Sequence, residues 1–136
     1  MNRSEMREAA FRFLYSAEIQ KDINVNNVKD FLESNETTSD QVAEYVQDIA
    51  EGVETNTEDI KKTIEKNLKS DWTYDRVSKV NLALLKLAIY EIKYKKLPYK
   101  AMINEVVELA KRYGEENTSQ QFVNGILASV VKELEE

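Results

Sequence analysis

Cysteine and histidine are both absent from this 136-residue sequence, which also contains only one proline and three glycines. Without cysteine there is no disulfide framework, thiol nucleophile or thiolate metal site, and without histidine the commonest general base and metal ligand is missing. Zinc chemistry and Ser-His or Cys-His catalysis are therefore excluded, and we expect no cofactor. The scarcity of proline and glycine favours a helical protein, since these residues most often interrupt helices.

Long hydrophobic runs are absent as well. No apolar segment approaches the roughly 20 residues that a helix needs to cross a bilayer. The N-terminus carries Arg3, Glu5 and Arg7 where a signal peptide would have its apolar region. We therefore expect a cytoplasmic protein without a membrane segment, and the length fits one domain over residues 1–136.

The net charge of −6 is unevenly distributed. Residues 1–68 carry 8 basic and 15 acidic side chains, whereas residues 69–112 carry 10 basic and 5 acidic ones. Local charge matters more for phosphate binding than the total does, although the acidic half weakens affinity through long-range repulsion. A nucleic-acid partner is therefore compatible with the composition.

Apolar residues recur at helical spacing in about seven segments, and no segment alternates with the period of a strand. The most apolar segment, Val77 to Tyr94, has apolar side chains almost all round and should be a buried central helix. The exception is a stripe of Lys79, Lys86 and Lys93, which are seven residues apart. The sequence predicts an all-α fold in which this helix is central.

Several residues mark helix ends. Thr38 with Gln41, and Thr118 with Gln121, have the spacing of capping boxes. Gly114 is placed to end the preceding helix as a left-handed residue. Trp72 lies where the helical pattern breaks, and we expect it to anchor the two halves of the domain.

The first helix carries a distinctive flank. Arg7, Phe11 and Tyr15 are four residues apart, and Arg3 lies one turn before Arg7. Arginine and aromatic side chains on one edge are suited to RNA, because guanidinium groups bind phosphate and aromatic rings stack on bases. The alternative is an ordinary flank whose arginines pair with nearby glutamates.

A family resemblance rests on short motifs spread over nearly the whole chain in order. They are Arg7-Glu8-Ala9-Ala10, Leu14-Tyr15, Gly52-Val53 with Asn56, Leu84 to Glu91, Leu97-Pro98, Ile103-Asn104-Glu105, Val107 to Lys111, Tyr113-Gly114 and Phe122 to Leu127. This set resembles the NusB transcription antitermination family.

The resemblance implies two three-helix subdomains packed crosswise, with the helix around Leu84 shared between them. It also implies a non-catalytic factor that binds boxA-type single-stranded RNA of nascent ribosomal RNA transcripts. The implied partners are small-subunit ribosomal protein ten (NusE) and the RNA polymerase antitermination complex.

The family's RNA-facing positions fall on six residues of this sequence: Arg3, Arg7, Lys86, Tyr113, Asn117 and Phe122. Tyr15 and Asn81 are the expected contacts with the ribosomal protein. Lys86 stands where relatives usually have arginine, and so offers a point charge in place of a bidentate fork. The first helix also has fewer arginines than relatives often show. For Tyr113 and Phe122, core packing is the alternative, since aromatics at helix ends commonly cover a core.

The alternative function is a protein-only helical adaptor or self-associating bundle whose RNA face has decayed. The thinned arginines and the acidic first half motivate it. Self-association as a homodimer that buries the RNA face stays open. An enzyme is not expected, because the chain lacks a Gly-rich cofactor fingerprint, and Glu105 and Glu108 lack the histidine of a Glu-x-x-His metal pair.

Overall fold

A computed structural model describes residues 3–37 and 39–135, without the side chains of Glu116 and Asn117. Within these residues the chain forms seven α-helices and no strand, which confirms the predicted all-α class. The helices are α1 (Arg3–Gln20), α2 (Val28–Ser34), α3 (Asp40–Thr55), α4 (Thr57–Lys66), α5 (Lys79–Ile89), α6 (Tyr99–Tyr113) and α7 (Glu116–Leu134). Short 3-10 helices cover Val25–Asn27 and Tyr74–Arg76, and a π-helical segment covers Tyr90–Tyr94.

The helices pack as two groups of three. Helices α1, α2 and α3 contact one another, and α5, α6 and α7 form the second group. Helix α5 also packs along α1, so it is shared between the groups, and α4 connects α3 to α5. This arrangement confirms the architecture that the family resemblance implied.

Helix α5 is buried on almost every side, as its composition predicted. Leu84, Leu85 and Leu87 point to different sides of the helix, and all three are fully buried. Burying one such side chain stabilises the fold by about 1.5–3 kcal/mol. Lys86 is the exception among the residues from Asn81 to Ile89, because it alone is only partly buried.

The helix ends differ in part from the prediction. Ser39 caps α3 by accepting a hydrogen bond from the Val42 amide at 3.5 Å, whereas Thr38 lies outside the described residues. The capping box at Thr118 is wrong, because α7 already begins two residues earlier. The Oγ of Ser119 instead accepts a hydrogen bond from the Glu115 amide at 3.0 Å.

Gly114 is not left-handed, since its φ is −92°. Its small size serves a different purpose: a Cβ at this position would lie 2.4 Å from the side chain of Ser119. The tight connection between α6 and α7 therefore requires glycine for close packing and not for a positive φ.

The π-helical segment continues α5 and packs tightly against α3 and α4. The ring of Tyr90 lies directly over Gly52 of α3, where a Cβ would be 2.1 Å from the ring. The hydroxyl of Tyr94 donates to Asp59 of α4. Between these residues, Glu91 is 2% exposed. No helix in the part of the chain that the structure describes is long and apolar enough to span a membrane.

Candidate nucleic-acid interface

Arg7 is buried inside the molecule and is 4% exposed. Its Nε donates to Oε1 of Glu91 at 3.1 Å, and the other oxygen of Glu91 accepts from the Tyr45 hydroxyl at 3.0 Å. A second carboxylate, Glu105, lies 3.8 Å from the guanidinium and accepts from Ser4 Oγ. Arg7 is therefore a buried residue paired with two carboxylates, and its contact with RNA stays a prediction.

Burial shifts the pKa values of two groups in this cluster. Burial raises the pKa of Glu91, although the positive charge of Arg7 and the hydrogen bond from Tyr45 act in the opposite direction. Burial and the neighbouring Glu91 also raise the pKa of Tyr45. The cluster joins α1, α3, α6 and the π-helical segment, so its role is to hold both helix groups together.

Tyr113, at the end of α6, packs on α1 with its ring centroid 4.9 Å from that of Phe11. Its hydroxyl donates to Glu8 and accepts from Arg12 Nε at 3.0 Å. The guanidinium groups of Arg12 and Arg112 lie 5.9 and 5.8 Å from the ring centroid. Tyr113 is thus half-buried among charged groups, which is intermediate between the core and RNA-facing interpretations.

Glu8 binds the groups around Tyr113. Burial tends to raise the pKa of Glu8, but the hydrogen bond from Tyr113 and the charge of Arg112 outweigh it and lower the pKa. Arg112 also pairs with Glu8 at 3.1 Å. One carboxylate therefore offsets part of the positive charge beside this ring.

Lys86 projects from α5 toward α1 and pairs with Glu18. Its Nζ also lies 6.0 Å from the centroid of Tyr74, and Lys61 approaches the same ring at 5.1 Å. Burial would lower the pKa of Lys86, but the hydrogen bond and charge of Glu18 outweigh it and raise the pKa. Lys86 is charged and close to the surface, yet its ammonium already has an anionic partner.

Phe122, near the start of α7, is half-buried against Trp72, with ring centroids 6.4 Å apart. Trp72 is 38% exposed. The indole therefore packs on α7 with part of its surface exposed, and its expected role as an anchor between the two halves of the domain stays a prediction. The guanidinium of Arg76 lies 4.5 Å over the indole and donates to the Asp71 carbonyl at 3.3 Å.

Arg3 and Asn117 are the two remaining predicted RNA contacts. Arg3 is exposed at the start of α1, and no described carboxylate pairs with it. The side chain of Asn117 lies outside the described residues. The structure therefore leaves both as predictions.

The two predicted partner contacts lie in different environments. Tyr15 is half-buried and stacks on Phe11 at 5.9 Å between ring centroids. Asn81 is 9% exposed, its amide N–H donates to Ser78 Oγ at 3.1 Å, and its Oδ1 accepts no hydrogen bond from any described residue. A buried amide oxygen without a donor is unusual in proteins.

These groups are connected by contacts and by short stretches of chain around α1, α5, α6 and the start of α7. Phe11 contacts both Tyr113 and Tyr15, and Lys86 binds Glu18 and approaches Tyr74. Glu18 is one turn after Tyr15 in α1, and Tyr74 is two residues after Trp72, which contacts Phe122. We call this region the aromatic-basic surface. Its members are Tyr113, Lys86, Tyr74 and Phe122, and the pair of Trp72 and Arg76 lies next to Phe122.

Sequence reasoning missed three residues of this region, Glu8, Glu18 and Arg76, and it gave Trp72 only a structural role. Trp72 and Arg76 had no helical spacing to indicate their contact, because Trp72 lies where the helical pattern breaks and outside the short 3-10 helix Tyr74–Arg76. The roles of Glu8 and Glu18 had weak signals, since a glutamate on a helix flank is usually solvated. Within residues 3–37 and 39–135, no group of three acidic, histidine or cysteine residues is arranged to hold a metal ion.

Comparison with known proteins identifies the family. The model of the NusB family matches residues 4–132. The chain belongs to the NusB family. The transcription antitermination protein NusB of Acetivibrio thermocellus is 46% identical over 134 residues, which are 97% of this chain and 90% of the relative. NusB of Clostridium novyi is 40% identical over 97% of this chain and 99% of its own length.

Solved NusB structures share the fold. A T. maritima NusB structure has a TM-score of 0.83 and 35% identity, and covers 98% of this chain and 92% of that chain. A second structure, of antitermination factors NusB and NusE in complex with dsRNA, has a TM-score of 0.85 and 26% identity, with 96% of each chain covered. The overall architecture is therefore that of NusB along nearly the whole chain.

Proposed function

We propose that this chain is a transcription antitermination factor that binds boxA-type single-stranded RNA of nascent ribosomal RNA transcripts together with ribosomal protein NusE. Residues 1–136 would act as one RNA-binding domain within the RNA polymerase antitermination complex. The observation that carries the proposal is the aromatic-basic surface, which lies on a fold shared with a NusB that was solved with NusE and RNA. Half-exposed rings beside cations are the elements that bind single-stranded RNA.

Individual residues have different roles in this proposal. Arg3 and Lys86 would contact phosphate, Tyr113 and Phe122 would stack on bases, and Asn117 would make a polar contact. Arg7 acts indirectly, because its buried ion pair with Glu91 fixes α1 against the rest of the molecule. Stacking of one base contributes ~1–3 kcal/mol, so a few rings provide useful affinity.

NusE would bind near Tyr15 and Asn81. Tyr15 is only half-buried, so part of its ring is accessible to a partner. A second protein with basic surface would also compensate for the −6 charge of this chain. The RNA-competent form would then be the heterodimer.

The proposed role is recognition without catalysis, carried out in the cytoplasm where nascent transcripts are made. Support for it comes from the relatives, which are named as transcription antitermination proteins. No step in this role requires a cofactor.

One observation favours the alternative of a protein-only adaptor or self-associating bundle. Carboxylates pair with three of the cations near the surface, because Glu18 binds Lys86, and Glu8 binds both Arg12 and Arg112. RNA would have to displace these contacts or bind beside them. The two functions make opposite predictions about RNA affinity.

Equilibrium binding of a labelled boxA-type RNA, measured by fluorescence anisotropy with and without NusE, tests the proposal. Affinity should rise with NusE and fall with salt. Lys86→Ala should weaken binding across RNA sequences and reduce the salt slope by about 1, as expected for one lost phosphate contact. Glu18→Gln should strengthen binding, because Lys86 then has no anionic competitor.

Lys132→Ala is the matched control, since it removes one exposed positive charge near the other end of α7. It should leave affinity nearly unchanged, and circular dichroism should show that all variants are folded. If RNA is not bound even with NusE present, the antitermination assignment fails and the adaptor function replaces it.

A further inference from the structure

Among the described residues, Trp72 is the one aromatic residue in the group of exposed large apolar side chains, and it is 38% exposed. The other large apolar side chains exposed to a similar degree among the described residues, Ile19 and Leu134, are aliphatic. An indole at the surface is unusual, since tryptophan is highly buried on average. Its exposure therefore calls for a functional explanation.

The backbone holds Trp72 in place. The segment after α4 runs alongside α7 in the opposite direction: Lys66 pairs with Glu133 at 3.4 Å, Asn67 accepts from Ser129, and Trp72 reaches Phe122. The Trp72 amide also donates to a carbonyl three residues earlier at 2.9 Å. The indole is thus presented by a docked segment.

Arg76 completes the arrangement. Its guanidinium lies 4.5 Å over the indole, and its hydrogen bond to the Asp71 carbonyl holds it there. No described carboxylate forms an ion pair with Arg76, whereas Arg7, Lys86 and Arg112 each have one. Arg76 therefore keeps its positive charge available beside an exposed aromatic face.

The chemistry of this pair suits a nucleotide. Bases stack on aromatic rings and on guanidinium planes, and arginine binds the adjoining phosphate. The neighbouring ring of Phe122, 6.4 Å away, belongs to the surface for which RNA is already proposed. A single strand that reaches Phe122 would meet Trp72 and Arg76 next.

We infer that Trp72 and Arg76 form a nucleotide-binding position that extends the RNA surface beyond Phe122: a base of single-stranded RNA stacks on the indole while Arg76 contacts its phosphate. The inference rests on the proposed function, because it names a further contact with the same RNA. Arg76, which has no carboxylate partner among the described residues, would then bind RNA directly.

Trp72 is the only tryptophan of the chain, so its fluorescence reports on this position alone. The protein is titrated with boxA-type RNA in complex with a tryptophan-free NusE, while labelled-RNA anisotropy is followed in parallel. We expect RNA to quench tryptophan emission and to protect it from acrylamide, with the same midpoint as the anisotropy change.

Variants test the energetic contribution. Trp72→Leu should weaken RNA binding about 5- to 100-fold, which corresponds to the loss of one stacked base. Trp72→Phe should retain most of the affinity, because it keeps an aromatic face. Arg76→Gln should reduce the salt slope by about 1, and Lys132→Gln, which removes the same charge elsewhere, should not.

Three results would overturn the inference, and they are distinguishable. If RNA binds but tryptophan emission and the affinity of Trp72→Leu are unchanged, the inference fails while the proposed function stands. If NusE alone changes the emission and Trp72→Leu weakens NusE binding only, Trp72 is a protein contact. If RNA does not bind the complex at all, both the inference and the proposed function fail.

Discussion

Two regions of this molecule use arginine in opposite ways. In the closed cluster of Arg7, Tyr45, Glu91 and Glu105, the guanidinium is 4% exposed and surrounded by carboxylates. At the open edge, made of Trp72, Arg76 and Phe122, the guanidinium lies on an aromatic ring without a carboxylate partner. The comparison shows that the tertiary neighbours of an arginine, more than its position in a family motif, determine whether it is available to RNA.

The difference has a simple energetic basis. A buried ion pair contributes little net stability compared with apolar residues of the same shape, but removing one partner is strongly destabilising. A surface guanidinium loses little when its partner is removed, because water replaces it. Mutations should therefore affect stability in the closed cluster and binding at the open edge.

The largest effect should come from Arg7→Leu. It leaves Glu91 buried without its counter-charge, and we expect the free energy of unfolding to fall by about 3–5 kcal/mol. Chemical denaturation measures this, with Arg76→Leu as the matched control, expected to change stability by less than about 0.5 kcal/mol. Adding Glu91→Gln to Arg7→Leu should restore part of the loss. A decrease as small as that of the control would show that the closed cluster does not hold the helices together.

A smaller change in stability should come from replacing one glycine in each region by alanine. Gly52→Ala places a Cβ 2.1 Å from the Tyr90 ring, next to the closed cluster, and should cost about 1–3 kcal/mol through overpacking. Gly125 lies one turn after Phe122 on α7, and no atom lies within 4 Å of the position of its Cβ. Gly125→Ala should therefore stabilise the protein by about 0.5–1 kcal/mol. Denaturation midpoints at a constant m-value test the pair, and equal shifts in the same direction would contradict it.

The smallest effect concerns pH. The pKa of Glu8 is lowered from 4.5, so this carboxylate stabilises the fold above that pH, and the contribution is lost as the pH falls through its folded pKa. The stability difference between the wild type and Glu8→Gln should therefore shrink on acidification. Glu91 has the opposite sign: because its pKa is raised, its contribution is fully present below pH 4.5 and is lost as the pH rises through the folded pKa. A Glu8→Gln difference that does not vary with pH would contradict the expectation for Glu8.

Much of the fold was predictable from local pattern. The apolar surface of α5 required burial on all sides, and residues such as Leu84 and Leu87 are fully buried. The seven helices also followed from apolar spacing, because that spacing is a property of neighbouring residues. Helix ends were predicted less well, since the start of α7 depends on a contact between Ser119 and the Glu115 amide that no propensity indicates.

The candidate site was predictable only in part. The sequence places Arg7 on the flank of α1, but its burial depends on Glu91, which is 84 positions away. The pairing of Lys86 with Glu18 spans 68 positions and is equally hidden. Ion pairs between distant segments leave no periodic signal in the sequence. A prediction from sequence therefore overestimates the number of lysine and arginine side chains that face solvent.

The π-helical segment makes the directions of nearby side chains sensitive to the insertion or deletion of a residue. Lys86 and Lys93 are seven residues apart, and a uniform α-helix would place them on one line. They bind carboxylates on different helices, Glu18 on α1 and Asp59 on α4, and the wider turn of the π-helical segment lies between them. The number of residues in the π-helical segment, and not their identity alone, sets the direction in which the side chains after it point. Deleting Tyr90, which is uncharged and precedes Glu91, would redirect the buried carboxylate of Glu91 without changing any charge in the protein.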